Sequence, residues 1–166
     1  MFNIFGFYKF KKLNNLKKLK NRLENNLKDY EIRGTIIISS EGVNGTISDK
    51  KNNLLKFNKL LKKILSIKKF NSENNSNSKF NPFHKLKIKI KKEVVPMGFK
   101  VRNYNYPKNN LNPREWNKII KKKDTVLIDA RKSFEYDVGT FKKSLNPNIE
   151  NFRQFPKYLN QFKKSE

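Results

Sequence analysis

Four lysines, Lys85, Lys87, Lys89 and Lys91, alternate with Leu86, Ile88 and Ile90. A period of two is the period of a β-strand, so the pattern predicts one apolar face and one row of ammonium groups. Successive lysines on such a row stand about 6.6–7 Å apart, twice the rise per strand residue, comparable to the phosphate spacing along a nucleic-acid strand. Each phosphate neutralised releases counterions, which makes such contact salt-dependent and indifferent to sequence. Lysine used in this way positions an RNA backbone and reads no base. A solvated face that protects an edge strand from aggregation needs the same residues, and the pattern leaves both uses open. Phe80 and Phe83 precede the row. Stacking on a base is one use for them; packing into the core is the expected one.

A second group has a different character. Asp129 and Arg131 close the apolar run TVLIDA at 125–130, and open α/β sheets bind ligands at the C-terminal ends of their strands. Glu135 follows four residues later and offers Arg131 a second carboxylate. The competing reading is a structural ion pair that ties the strand end to Glu135. The segment EGVNG at 41–45 lacks the Lys-Ser/Thr ending of a phosphate loop and reads as a tight turn.

The chemistry these residues exclude is equally definite. None of the 166 residues is Cys and only His84 is His. A disulfide scaffold, a thiolate metal site, a cysteine nucleophile and a multi-histidine metal site are therefore ruled out within them. No metal is expected, and no cofactor pattern is evident. Lys and Arg number 39 against 14 Asp and Glu, a formal net charge of +25. Lys, Asn, Ile and Phe share A/T-rich codons, so part of this excess reflects genome drift. Glu has A-rich codons too and is scarce, which drift does not explain. A charge of this size favours an anionic partner, nucleic acid first among them. No apolar run approaches the roughly 20 residues needed to span a bilayer. The opening MFNIFGFYKFKK reads as a strand rather than a signal peptide. The expectation is a soluble, cytoplasmic protein without a membrane partner.

Two kinds of element must position these groups. Residues 3–10 are short and aromatic, hence a strand. Leu13, Leu16, Leu19, Leu23 and Leu27 recur at steps of three and four and predict an amphipathic helix. A β-branched strand follows at 32–39, then a tight reversal at 41–48 into another strand. Leu54, Phe57, Leu61, Ile64 and Leu65 mark a second helix. Residues 71–81 (NSENNSNSKFN) are polar and of low complexity, hence an exposed loop, and the lysine strand comes after it. Strand–helix–strand–strand–helix–strand is an α+β, ferredoxin-like (split βαβ) arrangement over residues 1–95. Its antiparallel sheet would carry both helices on one face. Residues 96–112 read as a connector. Asn112 caps a helix with Pro113 at its first position. The apolar run at 125–130 is a strand of the parallel-sheet kind, and a short helix and a last basic helix complete the start of an α/β domain at 113–166.

Taken in series, several segments resemble one family. They are GTIIISSEGVNGTIS at 34–48, NPFHKLKIKIKKEVVPMG at 81–98, PREW at 113–116, and VLIDARKSFEYDVGTFKKSLNPNIENFRQFPKY at 126–158. FYKF at 7–10 fits as well. Together they resemble the rhodanese-domain tRNA uridine(34) hydroxylase family, bacterial proteins of the UPF0176 type. The resemblance implies a ferredoxin-like domain followed by the incomplete start of an α/β rhodanese domain. It implies oxygen-dependent hydroxylation of wobble uridine in tRNA to 5-hydroxyuridine, with tRNA as partner and molecular oxygen as co-substrate. It places Asp129 and Arg131, with Glu135, beside a catalytic cysteine loop that they help to order. That loop lies some tens of residues after the FRQFP-like segment in members, and this chain reaches Glu166 without it. The expectation is a C-terminally truncated chain with no catalytic residue of its own. The alternatives are a non-catalytic basic RNA-binding module and a fragment of a rhodanese-type sulfurtransferase.

Overall fold

Phe5 and Phe7 are buried while Ile4, Gly6 and Tyr8 between and beside them are half-buried, and this alternation is that of the first strand, β1 (Phe2–Phe10). The computed structural model describes residues 1–98 and 111–162, and the chain divides into two units, 1–95 and 96–166. The first unit continues with α1 (Leu16–Leu27), β2 (Arg33–Ser39), β3 (Gly42–Asp49), α2 (Lys51–Leu65), β4 (Ser72–Ser78) and β5 (Leu86–Ile90). The sheet order is β4-β1-β3-β2-β5. The first four strands and the two helices make the ferredoxin-type α+β fold expected here.

Burial explains why the elements hold. The stripe of α2 places Leu54, Phe57, Leu61, Ile64 and Leu65 inside, and α1 adds Leu23 and Leu27. They pack on Phe5, Phe7, Ile36, Ile38, Val43 and Ile47, all from one face of the sheet. The Phe7 ring lies 4.9 Å from Phe70 and 6.2 Å from Phe57. At the end of α2, Lys11 Nζ donates to the Leu65 and Ser66 carbonyls at 2.8 and 2.7 Å. A cation there meets the negative end of the helix dipole. The β2–β3 reversal needs only Ser40 and Glu41, because Gly42 takes φ 147°, where a Cβ would collide with the Lys9 carbonyl.

Two expectations for this unit are corrected. The polar stretch 71–81 is not a loop throughout, because β4 pairs with β1 from Phe2↔Ser78 to Tyr8↔Ser72. Ser, Asn and Glu are poor strand formers, but at an edge their side chains stay in water while β1 supplies the backbone partners. The lysine strand is consequently the fifth strand, at the opposite edge, and it runs parallel to β2. The sheet is mixed rather than antiparallel.

The second unit contains α3 (Pro113–Ile119), α4 (Ser133–Val138), and a 3-10 turn (Phe152–Gln154) leading into α5 (Phe155–Leu159). Asn112 caps α3, accepting from the Arg114 and Glu115 N–H groups at 3.0 Å each, while Glu115 Oε2 accepts the Asn112 N–H at 2.8 Å. The expected strand at 125–130 is a correction. Pairing there is limited to one parallel bridge, Ile128↔Leu145. A strand needs a neighbour for its ladder, and among the described residues only 145 supplies one. The connector expected at 96–112 lies largely outside the described residues. Among the described residues no helix is long and apolar enough to cross a membrane.

Candidate functional site

Register sets the geometry of the lysine row. β5 lies beside β2 with Thr35↔Lys87, Ile36↔Ile88 and Ile37↔Lys89. Ile88 turns toward the helices and is 7% exposed. Lys87 and Lys89 turn the other way and are exposed, as are Lys85 and Lys91 at the strand ends. The ends are pinned by Gly34 N–H to the Lys85 carbonyl at 3.1 Å and Lys91 N–H to the Ile38 carbonyl at 2.9 Å. Lys87 and Lys89 are thus placed on the sheet face that no helix of this unit covers, and exposed Lys85 and Lys91 flank them at the two strand ends. Among the described residues none of the four is held in an ion pair; the acidic group at the far edge, Glu73 on β4, is held by Lys62 at 2.7 Å.

The two aromatics before the row separate. Phe80 was expected to pack and is instead 69% exposed. Asn81 Oδ1 accepts the Phe83 N–H at 3.2 Å and the Ser48 hydroxyl, and this turn leaves Phe80 in water while Phe83 is half-buried.

Asp129 and Arg131 meet in the second unit. Arg131 Nε donates to both Asp129 oxygens at 2.9 and 3.1 Å, and its Nη2 donates to Oδ2 at 2.6 Å. The Arg131 N–H adds a bond to Oδ1 at 3.1 Å, and the Thr140 hydroxyl donates to Oδ2 at 2.8 Å. Arg131 Nη2 also reaches the Gly139 carbonyl at 2.6 Å. The Arg131 guanidinium, against the opposing effect of burial and with help from Thr140, holds the Asp129 carboxyl well below the usual carboxylate range. The same pair raises Arg131. Glu135 does not join them by hydrogen bond. Its Oε2 accepts the Lys132 N–H at 3.3 Å and helps start α4; its charge still acts on Arg131 at a distance, while the hydrogen bonds of the pair go to Gly139 and Thr140.

A cleft of about 550 Å³ opens beside the pair, lined on its apolar side by Trp116, Leu127, Ile128 and Phe141. Trp116 Nε1 is buried there without a hydrogen-bond partner, and the Trp116 and Phe141 rings lie 5.3 Å apart. Ser144 continues the polar side, sharing a hydrogen bond with Thr140 at 2.6 Å while its carbonyl accepts the Tyr136 hydroxyl at 2.8 Å. Sequence reasoning missed Trp116, Thr140 and Ser144. The one available signal was that residues 139–141 (GTF) lie within the family-like segment at 126–158, and nothing in their types points to the contact of Thr140 with Asp129. Among the described residues no group of three or more His, Asp or Glu side chains is gathered in a way that could hold a metal ion.

A family model described as "UPF0176 acylphosphatase like domain" matches residues 2–94. A protein of Pelagibacter ubique (strain HTCC1062) named tRNA uridine(34) hydroxylase is 59% identical over 166 residues, 100% of this chain and 55% of that protein. One of Legionella pneumophila (strain Corby), with the same name, is 37% identical over 157 residues, 94% of this chain and 61% of its own length. The chain therefore spans little more than half the length of these relatives. Among solved structures, acylphosphatase from Bacillus subtilis covers 53% of this chain and 98% of its own at 12% identity, with a TM-score of 0.39. With its acylphosphatase-like domain at residues 2–94, the chain belongs to the UPF0176 family.

Proposed function

We propose that this chain serves the oxygen-dependent hydroxylation of wobble uridine in tRNA to 5-hydroxyuridine, and that its own share of the task is to hold the RNA. Support for the reaction comes from the relatives, which carry the name tRNA uridine(34) hydroxylase. The observation that carries the RNA-binding part is Lys87 and Lys89 on the uncovered face of β5, with exposed Lys85 and Lys91 at its two ends. Four ammonium groups at strand spacing present a polyanion with one cation per phosphate, and exposed Phe80 offers a ring on which a base can stack. Residues 113–166 are read as the start of a rhodanese domain after a connector at 96–112. Asp129 and Arg131 act there as positioning residues, locking the backbone from 129 to 140 beside the place where the family's cysteine loop would close. Glu135 contributes by starting α4.

Filter binding of tRNA to the 166-residue chain across a salt series tests the binding role. Replacing all four lysines by Ala is expected to lower the salt slope by about three, close to 0.7–0.9 per lost phosphate contact. An affinity indifferent to salt overturns the assignment. A second reading, a basic RNA-binding module with no chemistry, is favoured by one observation: the formal net charge of +25. Mass analysis of wobble uridine in a strain deleted for the gene separates the two. Loss of 5-hydroxyuridine supports the hydroxylase reading, and its persistence supports the module.

A further inference from the structure

A glycine stands in the middle of β1 for no reason that the fold supplies. Gly34 and Gly42 take φ of 131° and 147°, and a Cβ on either would strike backbone. A Cβ on Gly45 would strike the Phe7 ring. Gly6 is different. Its φ is outside the left-handed region, and a Cβ would meet Asn74 Cβ at 3.8 Å, the Asn74 carbonyl at 3.9 Å and Thr46 Oγ1 at 3.9 Å. Those are ordinary contact distances, so a Cβ fits without strain. Glycine inside a strand packs nothing and weakens it, and where the fold does not require it, it marks a place where something else approaches the backbone.

What surrounds Gly6 indicates the visitor. The ladder sets Gly6 against Asn74 on one side and Thr46 on the other, Thr46 against Thr35, and Thr35 against Lys87. This row crosses all five strands on the face opposite the helices. Asn74, Thr46 and Lys87 are exposed, and Gly6 and Thr35 are half-buried. The result is a trough floored by the β1 backbone, bordered by an amide and two hydroxyls, and leading to the cationic edge. Amide and hydroxyl groups both donate and accept, which the lysines cannot do.

We propose that this row docks a single-stranded segment of RNA, with one unpaired base lying flat over Gly6. Asn74 and Thr46 hydrogen-bond the edge of that base, and the strand runs toward β5, where Lys87 and Lys85 take phosphates. Gly6 and Lys87 are three strand spacings apart, about 14 Å, so the trough takes a short run of chain rather than a lone nucleotide. A duplex keeps its bases stacked inside and presents none to a flat floor. The proposal rests on the assignment of RNA to the lysine edge and supplies the base contacts which that edge lacks.

The substitution Gly6→Val fills the trough with a side chain that strands favour. In the 166-residue chain it is expected to leave Tm unchanged or raised while weakening binding of a single-stranded oligouridylate about tenfold, with the salt slope and the affinity for duplex RNA unchanged. Thr46→Val, which removes one hydroxyl at constant shape, is expected to weaken the same binding several-fold and serves if Gly6→Val impairs folding. If Lys87→Glu weakens binding and neither of these does, the lysine edge stands and docking at Gly6 is refuted. If none of the three weakens it, both assignments fall.

Discussion

The two units hold their secondary structure by different means. In the first, Phe57, Leu61, Ile36, Ile38 and Ile47 are 0% exposed, and helices and sheet share one apolar interior. In the second, Ile149 is the buried hydrophobic residue among those described, at 6%, while Val126, Phe134, Val138, Phe141 and Phe162 are 42–88% exposed. Its local signals are nevertheless the better formed. Asn112 and Asn151 both cap by side chain, and Pro113 sits at a helix start. In the first unit neither α1 nor α2 has a side-chain cap. Capping contributes about 1 kcal/mol per helix end, whereas one large core side chain contributes several times that. Elements in the first unit can dispense with local chemistry because burial supports them; those in the second depend on it.

The largest effect should therefore come from the interior of the first unit. Phe57→Ala removes a ring that touches the sheet and is expected to cost about 3–5 kcal/mol, measured as a shift of the urea midpoint by circular dichroism. Phe141→Ala removes a ring that is 58% exposed and leans on Trp116. Its expected cost is no more than about 1 kcal/mol. Equal costs would break the contrast. Limited proteolysis gives a second check, with cuts expected within 111–162 before any within 1–95. The reverse order would mean that the caps hold better than the core.

The same contrast explains what could be read in the sequence. The stripe of α2 was legible because Leu54, Phe57, Leu61, Ile64 and Leu65 keep a helical period and all five are buried. β5 was legible from its period of two, yet its place in the sheet was not. Residues 72–78 carry no alternation, since as an edge strand they bury almost nothing, and their partner β1 lies some seventy residues away. With β4 unseen, the lysine strand was counted as the fourth strand of the fold. Phe80 was misjudged because an aromatic near a strand usually packs, and the turn at Asn81 that exposes it depends on Ser48 from another strand. In the second unit the Asp129–Arg131 pair could be read from its spacing. Thr140 and Ser144 reach it only through the path of the chain between 139 and 145, and Trp116, on α3, lines the same cleft against Phe141.

A cap offers an intermediate test. Asn112→Ala leaves the Arg114 and Glu115 N–H groups without their acceptor, and about 1 kcal/mol is expected to be lost from α3. Faster amide exchange at these two residues reports it. Lys50→Ala, at the uncapped start of α2, is expected to change stability by a few tenths of a kcal/mol at most. If the two substitutions behave alike, the dependence on local chemistry does not distinguish the units.

The smallest effect expected is electrostatic and confined to acid. Asp129 is held ionised by Arg131 and Thr140, so its folded pKa lies below the ordinary value of 3.8. A depressed carboxyl adds stability that is fully present above the unfolded value. That stability declines as the pH falls below 3.8 and is gone only beneath the folded value. Arg131 is shifted upward by the same pairing, and its contribution is intact throughout the acid range, so any acid slope from the pair belongs to Asp129. Because Arg131 is about half exposed, with 48% of its side chain accessible, the slope should be shallow. Asp129→Asn preserves an oxygen for the Arg131 and Thr140 bonds and removes the charge. Melts followed by Trp116, the only tryptophan, should show a stability loss as the pH falls below about 4 in the parent that is reduced in the variant. An unchanged acid slope would mean that the loop from 129 to 140 is held by its hydrogen-bond geometry alone and that the ion pair adds nothing to it.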